Sequence, residues 1–337
     1  MTQSTDDTRE LYLAGDIGGT KTILAVFPSD GDIREPLAER TFRSRDYADL
    51  ETMAQEFMDE FAEPVHKATF GVAGPVVEGR AEITNLPWVL AESDLAAHLG
   101  LDRVSLVNDL VAIANAIPAL GPGDVQVVKK GTPVRHGSIA VVAPGTGLGE
   151  AYLTWDGKDY RPYPSEGGHA DFAPTTEEQL RLLQYLLSQR DHCSYEQVCS
   201  GNGIPNIYRF LAENGRAVEA EGFAAELRKT AEPARLIIDR FMEQPGECPI
   251  CDRTMELFIE ILGAEAGNMA LKVLAAGGVY LGGGIPARLA DRLAGERFLR
   301  CFSGKGRFGD LLSDIPVSII THPKPALIGA ARYAMSS

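Results

Sequence analysis

Two stretches rich in glycine and threonine, Leu13-Ala14-Gly15-Asp16-Ile17-Gly18-Gly19-Thr20-Lys21-Thr22 and Ala140-Val141-Val142-Ala143-Pro144-Gly145-Thr146-Gly147-Leu148-Gly149, each join one apolar run to the next. Glycine leaves backbone N–H groups unobstructed and threonine adds a hydroxyl, so two such turns facing each other could hold a polyphosphate between two halves of a protein. The chemistry this points to is phosphoryl transfer. Asp16 stands where the first apolar strand enters its turn. Beside a polyphosphate a carboxylate can act only through Mg2+, bound directly or through water, because like charges otherwise repel. An Asp that closes its own turn through a side-chain hydrogen bond accounts for the position equally well.

Other residues could serve a second substrate. Asn108-Asp109 falls between the strand Val104–Val107 and a helical pattern, where side chains point into the crevice beyond a strand's carboxyl end. Taken alone, an ordinary helix N-cap explains the pair as well. Glu166-Gly167-Gly168-His169 sets a carboxylate and an imidazole around two glycines, and Glu196 stands at the expected start of another helix. With Asn108 and Asp109 these groups are rich in acceptors and poor in cations, which suits a polyol whose hydroxyls need both donors and acceptors. The competing reading is a loop stabilised by its own Glu and His. Gly282-Gly283-Gly284 follows a strand and precedes a helical segment with Pro286 in its first turn, so a phosphate or a flat ring could approach the backbone there.

The elements that must position these groups alternate. Strand patterns cover 11–27 around the first turn, 67–72 and 104–107, with helical patterns over 50–61, 93–99 and 109–117. A second series has strands near 125–128, 139–143, 151–154, 279–281 and 317–320, and helices over 177–190, 194–212, 219–228, 231–243, 254–275 and 326–335. The strand, Gly/Thr turn, strand pattern thus occurs once in each half of an α/β chain. At 337 residues, two domains that pack directly and hinge are the natural expectation.

Composition narrows the partners. With 32 Lys and Arg against 47 Asp and Glu, the formal charge of −15 disfavours nucleic acid and anionic membrane surfaces. The first ten residues lack the basic start and apolar centre of a signal peptide, and the most apolar later segment, 270–285, is broken by Lys272 and five glycines. A cytoplasmic protein with no membrane partner is expected. The five cysteines are an odd number, expected to be reduced, and Cys248-Pro-Ile-Cys251 has only half the ligands of a zinc site.

Taken in order, these motifs are similar to those of the bacterial glucokinase family, within the superfamily of sugar kinases, actin and heat-shock chaperone ATPases. The resemblance rests on Gly15–Thr20, Thr84-Asn85-Leu86-Pro87-Trp88, Val107–Leu110, Gly145–Gly149, Glu166–Pro174, Glu196 with Ser200-Gly201, Gly282–Ile285 and Lys305–Phe308, and so covers nearly the whole chain. It implies two ribonuclease-H-like, actin-like ATPase lobes with an interdomain cleft. The small domain would be 1–119 plus 324–337, where the final helix packs back, and the large domain 120–323.

The same resemblance implies ATP-dependent phosphorylation of the 6-hydroxyl of glucose. Asn85, Asn108, Asp109, Glu166, His169 and Glu196 would hold the sugar, and Asp109 would be the base. Gly15, Asp16, Ile17, Gly18, Gly19, Thr20, Gly145, Thr146 and Gly147 would flank the ATP phosphates, and Gly282, Gly283 and Gly284 would lie near the adenosine. Asp16 would hold Mg2+, and a homodimer is the implied assembly. Another hexose kinase, for mannose, fructose or an N-acetylated sugar, and a non-catalytic sugar- or nucleotide-responsive protein are the alternative readings. Lys21 replaces the Asn frequent after Gly-Gly-Thr in this subgroup. It either contacts a phosphate or sits solvated on the strand edge.

Overall fold

Strands β1 (Leu11–Ile17) and β2 (Lys21–Pro28) form an antiparallel hairpin whose tip is Gly18-Gly19-Thr20. The computed structural model describes residues 10–61, 63–83, 86–215 and 217–336. These fall into two compact units, one of 1–121, 160–164 and 322–337, the other of 122–159 and 165–321.

In the first unit the sheet runs β3 (Ala38–Arg43), β2, β1, β4 (Val65–Val72), β8 (Arg103–Asn108). The hairpin and β3 are antiparallel, whereas β1, β4 and β8 are parallel. A small antiparallel sheet, β5 (Val76–Val77), β6 (Arg80–Glu82) and β7 (Val89–Ala91), stands beside it in sequence. Alternation along the hairpin sorts its side chains onto two faces. Leu11, Leu13, Ile17, Leu24 and Val26 join a core with Leu50, Met53, Ala54 and Phe57 of the helix Leu50–Met58. The smaller Ala14 and Ala25, with Ile23 and Phe27, meet Leu327, Ala330 and Ala331 of the last helix, Pro325–Ser336. Both faces of the hairpin are therefore covered, as its unbroken apolar run requires.

The last helix also braces the helix Asp109–Ala116. Asn115 Nδ2 donates to Gly329 O at 2.8 Å, and Arg332 donates to Asn115 Oδ1 at 2.7 Å. Nothing larger than hydrogen fits at Gly329, because a Cβ there would fall on Ala112 O.

The second unit repeats the hairpin followed by two parallel strands. Its hairpin is β10 (Ile139–Pro144) and β11 (Leu148–Trp155), followed by β13 (Gly278–Leu281) and β14 (Val317–Ile320), with β9 (Val125–Lys129) antiparallel to β14. Strand β12 (Tyr160–Ser165) contributes 160–164 to the first unit. The core is organised on the helix Pro249–Lys272, whose Met255, Phe258, Leu262 and Ala266 are buried.

Three expectations need correction. The helix expected over 194–212 is divided into a 3-10 turn, Tyr195–Gln197, and a helix, Ile204–Glu213. Between them the N–H groups of Gly201 and Asn202 leave the local chain and bond to Gly145 O and Thr146 O, at 2.7 and 3.1 Å. Glu196 accordingly lies in a turn, not at a helix start. The helix expected over 254–275 begins earlier, with Pro249 in its first turn, where no N–H is needed. The helix expected over 219–228 contracts to Phe223–Leu227.

All five cysteines are free thiols. The Sγ atoms of buried Cys248 and Cys251 are 2.8 Å apart, and among the described residues no group of three or more potential ligands could hold a metal.

Candidate active site

The first unit gathers Asp16, Gly18–Thr20, Asn108 and Asp109 at one end of its sheet. The parallel register sets Asp16 beside Gly71, Gly71 beside Val107, and Ile17 in line with Val72 and Asn108. Asp109 follows as the first residue of its helix. Asn108 caps that helix, its Oδ1 accepting from Leu110 N at 2.9 Å while its Nδ2 donates to Gly74 O at 3.0 Å. Asp109 Oδ1 also accepts from Leu110 N, at 2.9 Å. The cap reading of Asn108 is thus real, and it fixes the residue beside it.

The carboxyl of Asp16 is partly buried and pushed up to about 6. Burial is the main cause, the charge of Asp109 adds to it, and Lys21 partly offsets both. Lys21 itself is exposed at the start of β2.

The turn between β1 and β2 is held from outside. Gly18 N–H donates to Lys21 O at 3.1 Å, Ser44 Oγ donates to Gly18 O at 2.7 Å, and Ser44 N–H donates to Thr20 O at 3.1 Å. Buried Ser44 also shares a hydrogen bond with Thr22 Oγ1 at 3.0 Å. Sequence reading missed Ser44, since nothing in the local pattern marks a serine that follows an edge strand.

The second unit brings together Gly145–Gly147, Glu166, His169, Glu196 and Gly282–Gly284. Gly145 N–H closes the turn on Gly147 O at 2.9 Å. Glu196 Oε2 accepts from Leu148 N at 2.9 Å, and a Cβ on Gly147 would run into that same oxygen. A carboxylate expected to serve a polyol therefore also fastens the turn expected to hold phosphate.

Glu166 and His169 flank a single 3-10 turn, Gly167–His169, with Glu166 Oε2 and His169 Nε2 4.0 Å apart and both side chains exposed. This turn is tied to the Glu196 turn by a short antiparallel contact. Asp171 bridges Ser194, Tyr195 N donates to Ala170 O at 3.0 Å, and Phe172 N donates to Cys193 O at 2.9 Å. His192 Nε2 and Asp171 Oδ1 are 2.9 Å apart across the same contact.

Gly282–Gly284 joins β13 to the helix Gly284–Arg288, and Gly282 N donates to Val142 O at 3.0 Å. Gly283 has φ 86°, which favours glycine, and a Cβ there would meet Pro144 O at 2.8 Å. A cavity of about 650 Å³ is lined by Gly145, Thr146, Gly284 and Ile285, with Ile238 and Arg288 among its other walls. Two predicted phosphate- and nucleotide-binding segments, distant in sequence, therefore border one space. Asn85 and Thr84 lie outside the described residues.

Comparison with known proteins gives a consistent family. The glucokinase family model matches residues 13–337. A glucokinase of Trichormus variabilis is 41% identical, with 96% of this chain and 98% of that protein covered. The crystal structure of a glucokinase from an Antarctic psychrotroph matches with a TM-score of 0.84 at 32% identity, covering 97% of this chain and 99% of that one. A ROK-family glucokinase from Streptomyces griseus, solved with glucose and AMPPNP, has the same fold at a TM-score of 0.65 and 21% identity, covering 97% and 100% of the two chains. The architecture is the mixed α/β arrangement of the actin-like ATPase fold. The chain belongs to the glucokinase family.

Proposed function

We propose that this protein transfers the γ-phosphoryl group of ATP to the 6-hydroxyl of glucose, as the first step of intracellular glucose use. The observation that carries the reading is the hydrogen bond from Leu148 N to Glu196, which joins the phosphate turn to the polyol-binding acceptors in one hydrogen-bonded assembly. Family membership supports it, because relatives 35–41% identical over nearly their whole length are glucokinases.

In this reading Asn108, Asp109, Glu166, His169 and Glu196 take the sugar hydroxyls, and Asn85 joins them. Asp109 accepts the proton of the 6-hydroxyl as its oxygen bonds to the γ-phosphorus and the bond to the β-phosphate oxygen breaks, releasing ADP. Positioning supplies much of the rate, since both reactants are held rather than met by collision. The segments Gly15–Thr20 and Gly145–Gly147 flank the phosphates, with backbone close to them because glycine carries no side chain. The cavity beside Gly284 takes the adenosine, with Ile238 and Ile285 as its apolar walls.

The residues of the first unit fit a magnesium ion. Asp16 is a carboxylate whose proton affinity is raised because the positive charge near it, Lys21, does not balance burial and Asp109. A divalent cation held by Asp16, directly or through water, would supply that balance. When bound, Mg2+ neutralises charge on the phosphate oxygens.

A homodimer in the cytoplasm is the assembly and location we infer. The described residues include no helix long and apolar enough to cross a membrane. Light scattering of the purified protein tests the dimer. A coupled assay with ATP, Mg2+ and a panel of hexoses tests the activity. Highest kcat/KM with glucose is expected, and no turnover of any hexose would remove the reading.

A further inference from the structure

A buried carboxyl lies directly beneath the turn that carries Glu166 and His169. Glu150, on β11 two residues past Leu148, is 2% exposed, and among the described residues no N–H or O–H donor reaches either of its carboxyl oxygens. A Cβ at Gly167 would fall on Glu150 Oε2, so the carboxyl presses against the glycine between the two sugar-binding candidates. The catalytic reading has no use for this group. An ionised carboxylate with no donor in such a place is costly, whereas a neutral carboxyl carries its own donor.

The partner for that donor is Glu265, fully buried on the long helix Pro249–Lys272. Glu265 already has its donors: Lys272 Nζ at 3.1 Å on Oε1 and Asn268 Nδ2 at 2.8 Å on Oε2. The proton of the facing pair therefore belongs on Glu150, which lacks any other. Burial, then the charge of Glu265, push the Glu150 carboxyl up to about 8, and Lys272 offsets this only in part. Among the described residues, Cys199 and Tyr195 also interact with the pair, both held in their neutral forms chiefly by burial, as does Lys305, whose Nζ is bonded to Asn268 Oδ1 at 2.5 Å.

We propose that Glu150 is a positioning residue for sugar binding: its neutral carboxyl, bonded to Glu265, is the floor on which Gly167 rests, and it sets Glu166 and His169 for glucose. The inference rests on the sugar-binding role proposed above for those two residues. Loss of the Glu150 proton leaves two facing carboxylates under the turn. The turn then shifts to let water or a cation reach them, and glucose affinity falls. Below that titration the floor is intact.

Glucose binding to the full chain, measured by calorimetry without nucleotide near pH 7 and near pH 9, tests this directly. If only the protonated form binds well, the competent fraction and hence the affinity drop about tenfold across that interval. The E150Q protein keeps a neutral group with an N–H donor for Glu265, so its ratio of Kd values across the interval should stay under about twofold. A wild-type Kd that is flat over the interval overturns the proposal, whether or not E150Q folds. So does a pH dependence that E150Q retains. E166Q serves as the separate control near pH 7. If it binds glucose as tightly as wild type, the sugar-site reading fails, whereas weakened binding in E166Q with a flat wild-type profile sinks only the role of Glu150.

Discussion

Asp16 and Asp109 stand at the same end of one parallel set of strands, and the charge of Asp109 raises the proton affinity of Asp16. Two carboxylates held this way resist ionising together unless positive charge arrives. The proposed roles of cation holder and base would be opposite uses of one electrostatic setting.

Replacing Asp109 by Asn tests both roles. Loss of a general base predicts a fall in kcat of about 10²–10⁴-fold in the coupled assay, with glucose binding still measurable by calorimetry. The same variant should move the Asp16 titration to lower pH, read from carboxyl carbon shifts by NMR. Near-normal kcat would remove Asp109 as the base.

Asp16 also makes a stability prediction. Its carboxyl titrates at about 6 in the folded protein against an ordinary 3.8, so between these values the folded chain holds more protons than the unfolded one. Stability from this group is therefore complete below the ordinary value and is lost as pH rises toward about 6. D16N removes that cost, and near neutral pH it should gain stability by up to about 2–3 kcal/mol while losing Mg2+-dependent turnover. Denaturant melts at several pH values measure it. An unchanged pH dependence of stability in D16N would contradict the assignment.

Gly147→Ala drives a methyl group into the carboxylate of Glu196. Because that carboxylate fastens Leu148 N, the loss of a charged hydrogen bond should cost about 1.5–3 kcal/mol, seen as weaker ATP and weaker glucose binding together. An effect on one ligand alone would show that the two turns are not coupled through Glu196.

Gly284 has open space where a side chain would grow, and it borders the cavity beside Thr146. G284V should raise the KM for ATP about tenfold or more, equivalent to at least about 1.4 kcal/mol of binding, and leave the calorimetric Kd of glucose near its wild-type value. An unaltered KM for ATP would move the adenosine elsewhere.

The placement of several candidate residues could be read from the chain because it is local. Gly18-Gly19-Thr20, Gly145-Thr146-Gly147 and Asn108-Asp109 lie at strand ends, and an apolar run followed by glycine or a capping residue is visible within ten positions. What escaped depends on distant partners. Ser44 reaches the first turn from just past the end of β3, and β3 itself, Ala-Glu-Arg-Thr-Phe-Arg, is an edge strand with only Phe42 buried. It has too few apolar residues to show a period of two. The composition of the Glu196 segment permits a helix, and tertiary hydrogen bonds to Gly145 and Thr146 override it. Glu150 could have been noticed as the one charge in the run Leu148–Leu153, but its facing partner Glu265 is more than a hundred residues away.

The helix Pro325–Ser336 lies far from β1 and β2 in sequence, yet it covers one face of their hairpin and braces the helix that begins with Asp109. Chains emerge amino terminus first, and pairings across such long sequence separations form late because a large loop must close before they contribute. On the ribosome, the Ala14 and Ala25 face of the hairpin stays uncovered until Leu327, Ala330 and Ala331 have been made. The second unit, 122–159 and 165–321, precedes that helix in sequence and can build its core while that face waits. The helix that begins with Asp109, the proposed base, is thus braced only once Gly329 and Arg332 have been made.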